Sequence, residues 1–207
     1  MRCDDPIKAH PGINHPRLLR NPVDHWFRWL AEELETAGSP TVVPAFPNPE
    51  NPDRPQWLDA LAAEVGISDH NTILIAHSLG CLTDLRYLSS LSEPWNLGSL
   101  VLISGFLDPL PALLDLDEYI AGGCYVSTIG DHVERITVIR SDQDPYVPTA
   151  HTDRLAQQIR RHRTRDRRRW ALPHIRRPRH SPSDSPVHRA LTGKPRQLRI
   201  VARVLSP

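Results

Sequence analysis

The stretch Thr72 to Gly80, TILIAHSLG, constrains the fold more than any other part of the chain. Thr72 to Ala76 form a short apolar run with no polar alternation. That is the pattern of a strand covered on both faces, and such strands belong to parallel sheets flanked by helices. His77-Ser78-Leu79-Gly80 then turns the chain into Cys81 to Leu91, where Leu82, Leu85 and Leu88 recur at helical spacing. A buried strand, a tight corner and an amphipathic helix make half of a βαβ unit, which excludes an all-β or all-α architecture for this region.

The remaining pattern repeats that alternation. Asp24 is placed to cap a helix from His25 to Ala37, with Trp26, Phe27, Trp29, Leu30 and Leu34 as its apolar stripe and Gly38 as its stop. Strands are predicted at Thr41 to Val43, Ser99 to Gly105 and Arg135 to Arg140. Helices are predicted near Gln56 to Val65, with Trp57, Leu58, Leu61 and Val65 on one face, and at His151 to Gln158. Residues 106–134 show no clean period and are expected to cap a cleft between strands. The fold class is therefore α/β, a mostly parallel sheet with helices on both faces, in one domain, as 207 residues would suggest.

Charge divides the chain into three. The formal net charge is only +1, but residues 21–158 carry 6 Arg, no Lys and 20 acidic residues, whereas residues 159–207 carry 15 basic residues against Asp166 and Asp184. The expected organisation is an irregular segment 1–20, an organised domain 21–158 and a basic tail 159–207 without regular structure. Such asymmetry points either to a basic arm on nucleic acid or to segments of different origin. Cys3, Cys81 and Cys124 are too few and too scattered for a disulfide framework, and their expected state is reduced. No apolar run is long enough for a spanning helix and MRCDDPIKAHPG lacks a signal-peptide core, so a cytoplasmic protein without membrane contact is expected. The eleven histidines form no H-E-x-x-H or comparable cluster, and neither a metal nor another cofactor is expected.

The chemistry sits at the corner. Ala76-His77-Ser78-Leu79-Gly80 has the form of a nucleophile elbow, G-x-S-x-G with alanine for the first glycine. The strained turn lifts the serine Oγ above the sheet. Residues two before and two after the serine crowd each other, so they must be small, as Ala76 and Gly80 are. The Leu79 N–H, at the helix start, would face a developing oxyanion. The alternative is a serine that merely caps the helix. Downstream, the loop SDQDPYVP after the strand Arg135 to Arg140 offers Asp144 as the acid that orients a histidine, with Asp142 as its competitor. Taken alone, either carboxylate could be a solvated turn residue.

DHWFRWLAEELETAG, PAFPNPENPDRPQWL, AHSLGCLTDLRYL, LVLISGF and SDQDPYVP, in this order, closely resemble the small serine hydrolases typified by retinoblastoma-binding protein nine. The resemblance spans about Asn21 to Gln158. It implies a compact α/β-hydrolase fold and a Ser, Asp, His triad acting on small esters or amides. By that resemblance Ser78 is the nucleophile, Asp144, before Pro145, the acid, and His25-Trp26-Phe27 a family signature, although His25 reads equally well as a packed helix-start residue.

Two family features do not appear as written: a first strand ending in His-Gly-Tyr, and a Gly-His-Phe carrying the triad histidine. WALPHIRR at Trp170 to Arg177 can be encoded by TGG GCA CTT CCT CAC ATC CGA CGG, which one base later reads G-H-F-L-T-S-D-G. Pro16 to Arg20, encoded as CCA CGG CTA CTG CGC, likewise reads H-G-Y-C-A. Both ends therefore read as out-of-frame flanks of an in-frame hydrolase, and the sheet is expected to be incomplete at both ends. His174 is then the nearest substitute for the triad histidine. The absent first strand should leave its neighbours with unpaired backbone groups. The expected function is a serine hydrolase of small acyl esters or amides, impaired by lack of the triad histidine. The weaker alternative is a non-catalytic binding protein whose tail, Arg160 to Arg169, contacts nucleic acid.

Overall fold

A computed structural model describes residues 26–66, 68–92, 94–160, 174–175 and 199–202. The expectations for residues 1–25, including Asp24 and His25, lie outside the described residues. So does the basic run 161–173.

Six parallel strands form one sheet in the order β1-β6-β2-β3-β4-β5, with β1 at Thr41–Val42, β2 at Thr72–His77, β3 at Leu97–Ile103, β4 at Val133–Ser141, β5 at His174–Ile175 and β6 at Arg199–Ala202. The helices are α1 (Trp26–Thr36), α2 (Arg54–Val65), α3 (Leu79–Ser90), α4 (Asp117–Ile120), α5 (Ile129–His132) and α6 (Thr149–Arg160). The α/β-hydrolase-like class holds, and each long element lies where the periodicity puts it. Among the described residues, no helix is long and apolar enough to cross a membrane.

The period of two along the central strands divides the core. Ile73 and Ile75 of β2, Val101 of β3 and Ile139 of β4 pack with Phe27, Leu30 and Leu34 of α1. The intervening Leu74 and Ala76, Leu100 and Leu102, and Ile136 and Val138 face the larger cluster built by α2, α3, α5 and α6. α2 starts where Asp53 accepts the Gln56 amide at 2.9 Å and Pro55 occupies the first turn, where a missing N–H costs nothing.

Three features add to or differ from the sequence reading. Residues 106–134, without a clean period in sequence, pack into the core. Phe106, Leu110, Tyr119, Ile120 and Ile129 are buried in the larger cluster, and Arg86 of α3 holds the segment by its carbonyls, Nη1 donating to Tyr119 at 2.7 Å and Nε to Gly123 at 3.0 Å. The tail, expected to lack regular structure, contributes β5 and β6. β6 lies between β1 and β2: Thr72 to Ile75 pair in register with Arg199 to Ala202, and Thr41 and Val42 pair with Ile200 and Val201. β1 and β2 thus each have a backbone partner in β6.

Candidate active site

β2 ends at His77, and the chain reverses within one residue. Ser78 has φ 53° and ψ −126°, a conformation that L-residues with a Cβ rarely adopt. The corner is anchored on both sides: the Ser78 amide donates to the Ile103 carbonyl at 2.9 Å, and the Ser78 carbonyl accepts from the Cys81 amide at 3.0 Å. Ala76 and Gly80, the small residues on either side of the corner, are both buried. His77 is half-buried, with its ring edge-on to Phe27 at 6.4 Å between centroids. Leu79 is the first residue of α3, so its N–H has no partner within the helix.

The alternative reading of Ser78 as a helix cap fails on geometry. Its side chain makes no capping hydrogen bond. The Oγ is buried and has no hydrogen-bond partner among the described residues. Leaving a buried hydroxyl unsatisfied costs about 1–3 kcal/mol. Backbone strain of about 1–3 kcal/mol is held at the same residue. Two unfavourable terms on one side chain need an explanation outside packing.

Ser78 forms part of the wall of a cavity of about 250 Å³, together with His77, Ser141, Gln143, Asp144, Pro145, Tyr146 and Val147. The cavity lies at the carboxyl ends of β2 and β4, the edge where open α/β sheets bind ligands. None of residues 106–134 lines it. The β4–α6 loop is ordered from within: Asp144 Oδ1 accepts the Tyr146 and Val147 amides, both at 3.0 Å, and the Ser141 hydroxyl accepts the Gln143 amide at 3.1 Å. Asp142 does not line the cavity and pairs instead with Arg140 Nη1. Of the two competing carboxylates, the geometry brings only Asp144 to the wall that holds Ser78.

His174 begins β5, and its Cα pairs with Arg140 near the carboxyl end of β4. Its backbone is thus in register four residues before Asp144. Among the described residues, no group of three His, Cys, Asp or Glu side chains could hold a metal ion.

Sequence reasoning missed the support beneath the corner. Ser104, directly after β3, also has positive φ, 48°, and its amide donates to the Ile139 carbonyl at 2.8 Å. At Gly105 a Cβ would stand 2.7 Å from Leu155 Cδ2 and 3.0 Å from Cys81 Cβ, so only glycine lets the first turn of α3 sit against the end of β3. The Ser-Gly pair closing an apolar run was the available signal. Burial pushes the Cys81 thiol well above its ordinary pKa and the nearby Asp84 carboxylate adds to the effect, so this neighbour of Ser78 stays protonated and is no rival nucleophile. Ser141, Gln143, Tyr146 and Val147 also went unremarked as wall residues, since nothing in their spacing distinguishes them from an ordinary loop.

A family model described as "Serine hydrolase" matches residues 16–165, somewhat more than the 21–158 expected from motifs. The Bacillus subtilis (strain 168) protein named "Putative hydrolase YdeN" is 39% identical over 136 residues, covering 66% of this chain and 72% of that protein. The crystal structure of the ydeN gene product from B. subtilis superposes with a TM-score of 0.68 at 35% identity, covering 76% of this chain and 80% of that one.

Proposed function

The chain belongs to the serine hydrolase family, of α/β-hydrolase type, and from that premise we propose that it is an esterase-like enzyme hydrolysing small acyl esters or amides through Ser78. The observation that carries the proposal is the strained Ser78, its Oγ without a hydrogen-bond partner among the described residues, on the same cavity wall as Asp144.

In this reading Ser78 Oγ attacks the acyl carbon while a base removes its proton, and the carbonyl oxygen takes up the electron pair of the broken π bond. The Leu79 N–H stabilises that oxyanion. The tetrahedral species then collapses, the alcohol or amine leaves with a proton, and water hydrolyses the Ser78 ester by the same route in reverse. Asp144, its Oδ1 already committed to two backbone amides, keeps Oδ2 for orienting the base. His174 is the candidate base because its strand lies against the end of β4. The family's Gly-His-Phe is not present in this frame, so the base is the weakest member of the set and turnover is expected to be impaired. Losing the triad histidine outright costs about six orders of magnitude in a well-studied serine protease. The cavity volume of about 250 Å³ suits a small acyl group rather than a polymer. The location proposed for this chemistry is the cytoplasm.

A fluorophosphonate probe tests the proposal, since it needs only an activated serine. Labelling that disappears in Ser78→Ala is expected. Equal labelling of the variant, or no labelling together with salt-sensitive binding of nucleic acid, would overturn it in favour of a binding role for the basic tail.

A further inference from the structure

We propose that Arg140 is a positioning residue that fixes the Asp144 loop for catalysis, an inference that rests on the hydrolase reading of Ser78 and Asp144. Arg140 is the penultimate residue of β4, and its side chain is only 18% exposed. One guanidinium spans both ends of the connection that carries Asp144: Nη1 pairs with Asp142 at the loop's start, and Nε lies 3.2 Å from Asp153 on the second turn of α6. Between those two anchors are Asp144 and the wall residues Pro145, Tyr146 and Val147.

The backbone bonds to Asp144 Oδ1 set the shape of the loop but not its placement over the sheet, because all of them are local to residues 144–147. Val147, buried in the core, anchors the far side of the loop, and Arg140 adds a polar link from the loop to the rigid strand. A planar fork can hold two carboxylates in fixed directions at once, which a lysine ammonium on a flexible stem does not reproduce. Arg140 is also the register partner of His174, so the loop with the acid and the strand with the candidate base are tied to the same point of β4. A misplacement of about 1 Å between reacting groups costs on the order of 10²-fold in rate.

The test compares Arg140→Met and Arg140→Lys with the parent chain by peptide-resolved hydrogen exchange and by hydrolysis of a p-nitrophenyl ester. Exchange across 141–148 is expected to rise about tenfold in Arg140→Met, with peptides of β2 and β3 unchanged. The kcat is expected to fall at least tenfold at nearly constant KM, and Arg140→Lys should recover part of both. Unchanged exchange across 141–148 overturns the inference whatever the turnover. A change spread equally over β2 and β3 overturns it too, since that is general destabilisation. If Ser78→Ala retains full ester hydrolysis, the hydrolase reading itself fails. If Ser78→Ala is dead but Arg140→Met keeps its kcat, only the role of Arg140 fails.

Discussion

Arg86 offers the sharpest test of how the elbow helix is held. It lies two turns beyond Ser78 on α3, is 8% exposed, and donates to four carbonyls: Tyr119 at 2.7 Å, Ile120 and Gly123 at 3.0 Å, and Ala121 at 3.2 Å. Arg54 Nη2 reaches two of the same carbonyls, Tyr119 at 2.8 Å and Ala121 at 2.9 Å. In Arg86→Met those two keep a donor, and Ile120 keeps the Gly123 amide at 2.9 Å, whereas Gly123 loses its own. That one orphaned carbonyl costs about 1–3 kcal/mol, and the release of a buried guanidinium gives some of that back. Burial, with a smaller contribution from Arg54, already lowers the pKa of Arg86, which marks that desolvation as real. The net expectation is a loss of about 1–2 kcal/mol, or ~0.5–1 M in the urea midpoint for a chain of this size. Arg54→Met alone should cost less. The double variant should cost more than the sum, because the shared carbonyls then have no donor and because relief of the repulsion between the two cations is counted only once. Urea melts followed by tryptophan fluorescence suit the measurement, since Trp57 lies 5.1 Å from the Tyr119 ring. A loss below about 0.5 kcal/mol for Arg86→Met, or strict additivity, would refute the reasoning.

Other consequences are as specific. The Tyr119 phenol, buried and bonded to Thr83 Oγ1 at 2.6 Å, is pushed up to about 12. The folded state therefore holds its proton more tightly, so the stabilisation is complete below pH 10 and declines towards pH 12, by about 3 kcal/mol in all; a Tyr119→Phe chain whose alkaline melts decline as steeply as the parent's would contradict this. Ser78→Gly should abolish labelling yet raise Tm by several degrees, because it removes both the positive-φ strain and the orphaned hydroxyl. A fall in Tm would mean that the corner is not strained. Deleting residues 199–207 should lower the urea midpoint and blunt cooperativity by unpairing β2 from β6, and an unchanged transition would show that β6 adds nothing.

Most of the fold was legible because burial on both faces leaves a plain mark. TILIA, LVLIS and RITVIR have few polar interruptions, and each is a central strand. The boundaries slipped where local signals were weak. α3 begins at Leu79 rather than Cys81 because the elbow turn occupies a single residue, and its residues from Leu79 to Leu88 are buried on every side, Asp84 and Arg86 included, which no amphipathic pattern could announce. β5 and β6 were invisible for a different reason: two to four residues in an Arg-rich stretch become strands because neighbouring strands supply their partners, β4 for β5 and both β1 and β2 for β6. At the site, Ser78 was readable from its small neighbours. Of the two candidate carboxylates Asp144 lines the cavity wall and Asp142 pairs with Arg140, whose reach across the loop has no sequence signature.

The central claim is that the corner after β2 presents one activated hydroxyl to an acyl carbon. Peptide mass mapping of the chain after fluorophosphonate treatment tests it most directly. A single adduct localised by fragmentation to Ser78 is predicted. An adduct on Ser68, Ser104 or Ser141 with Ser78 unmodified would contradict it.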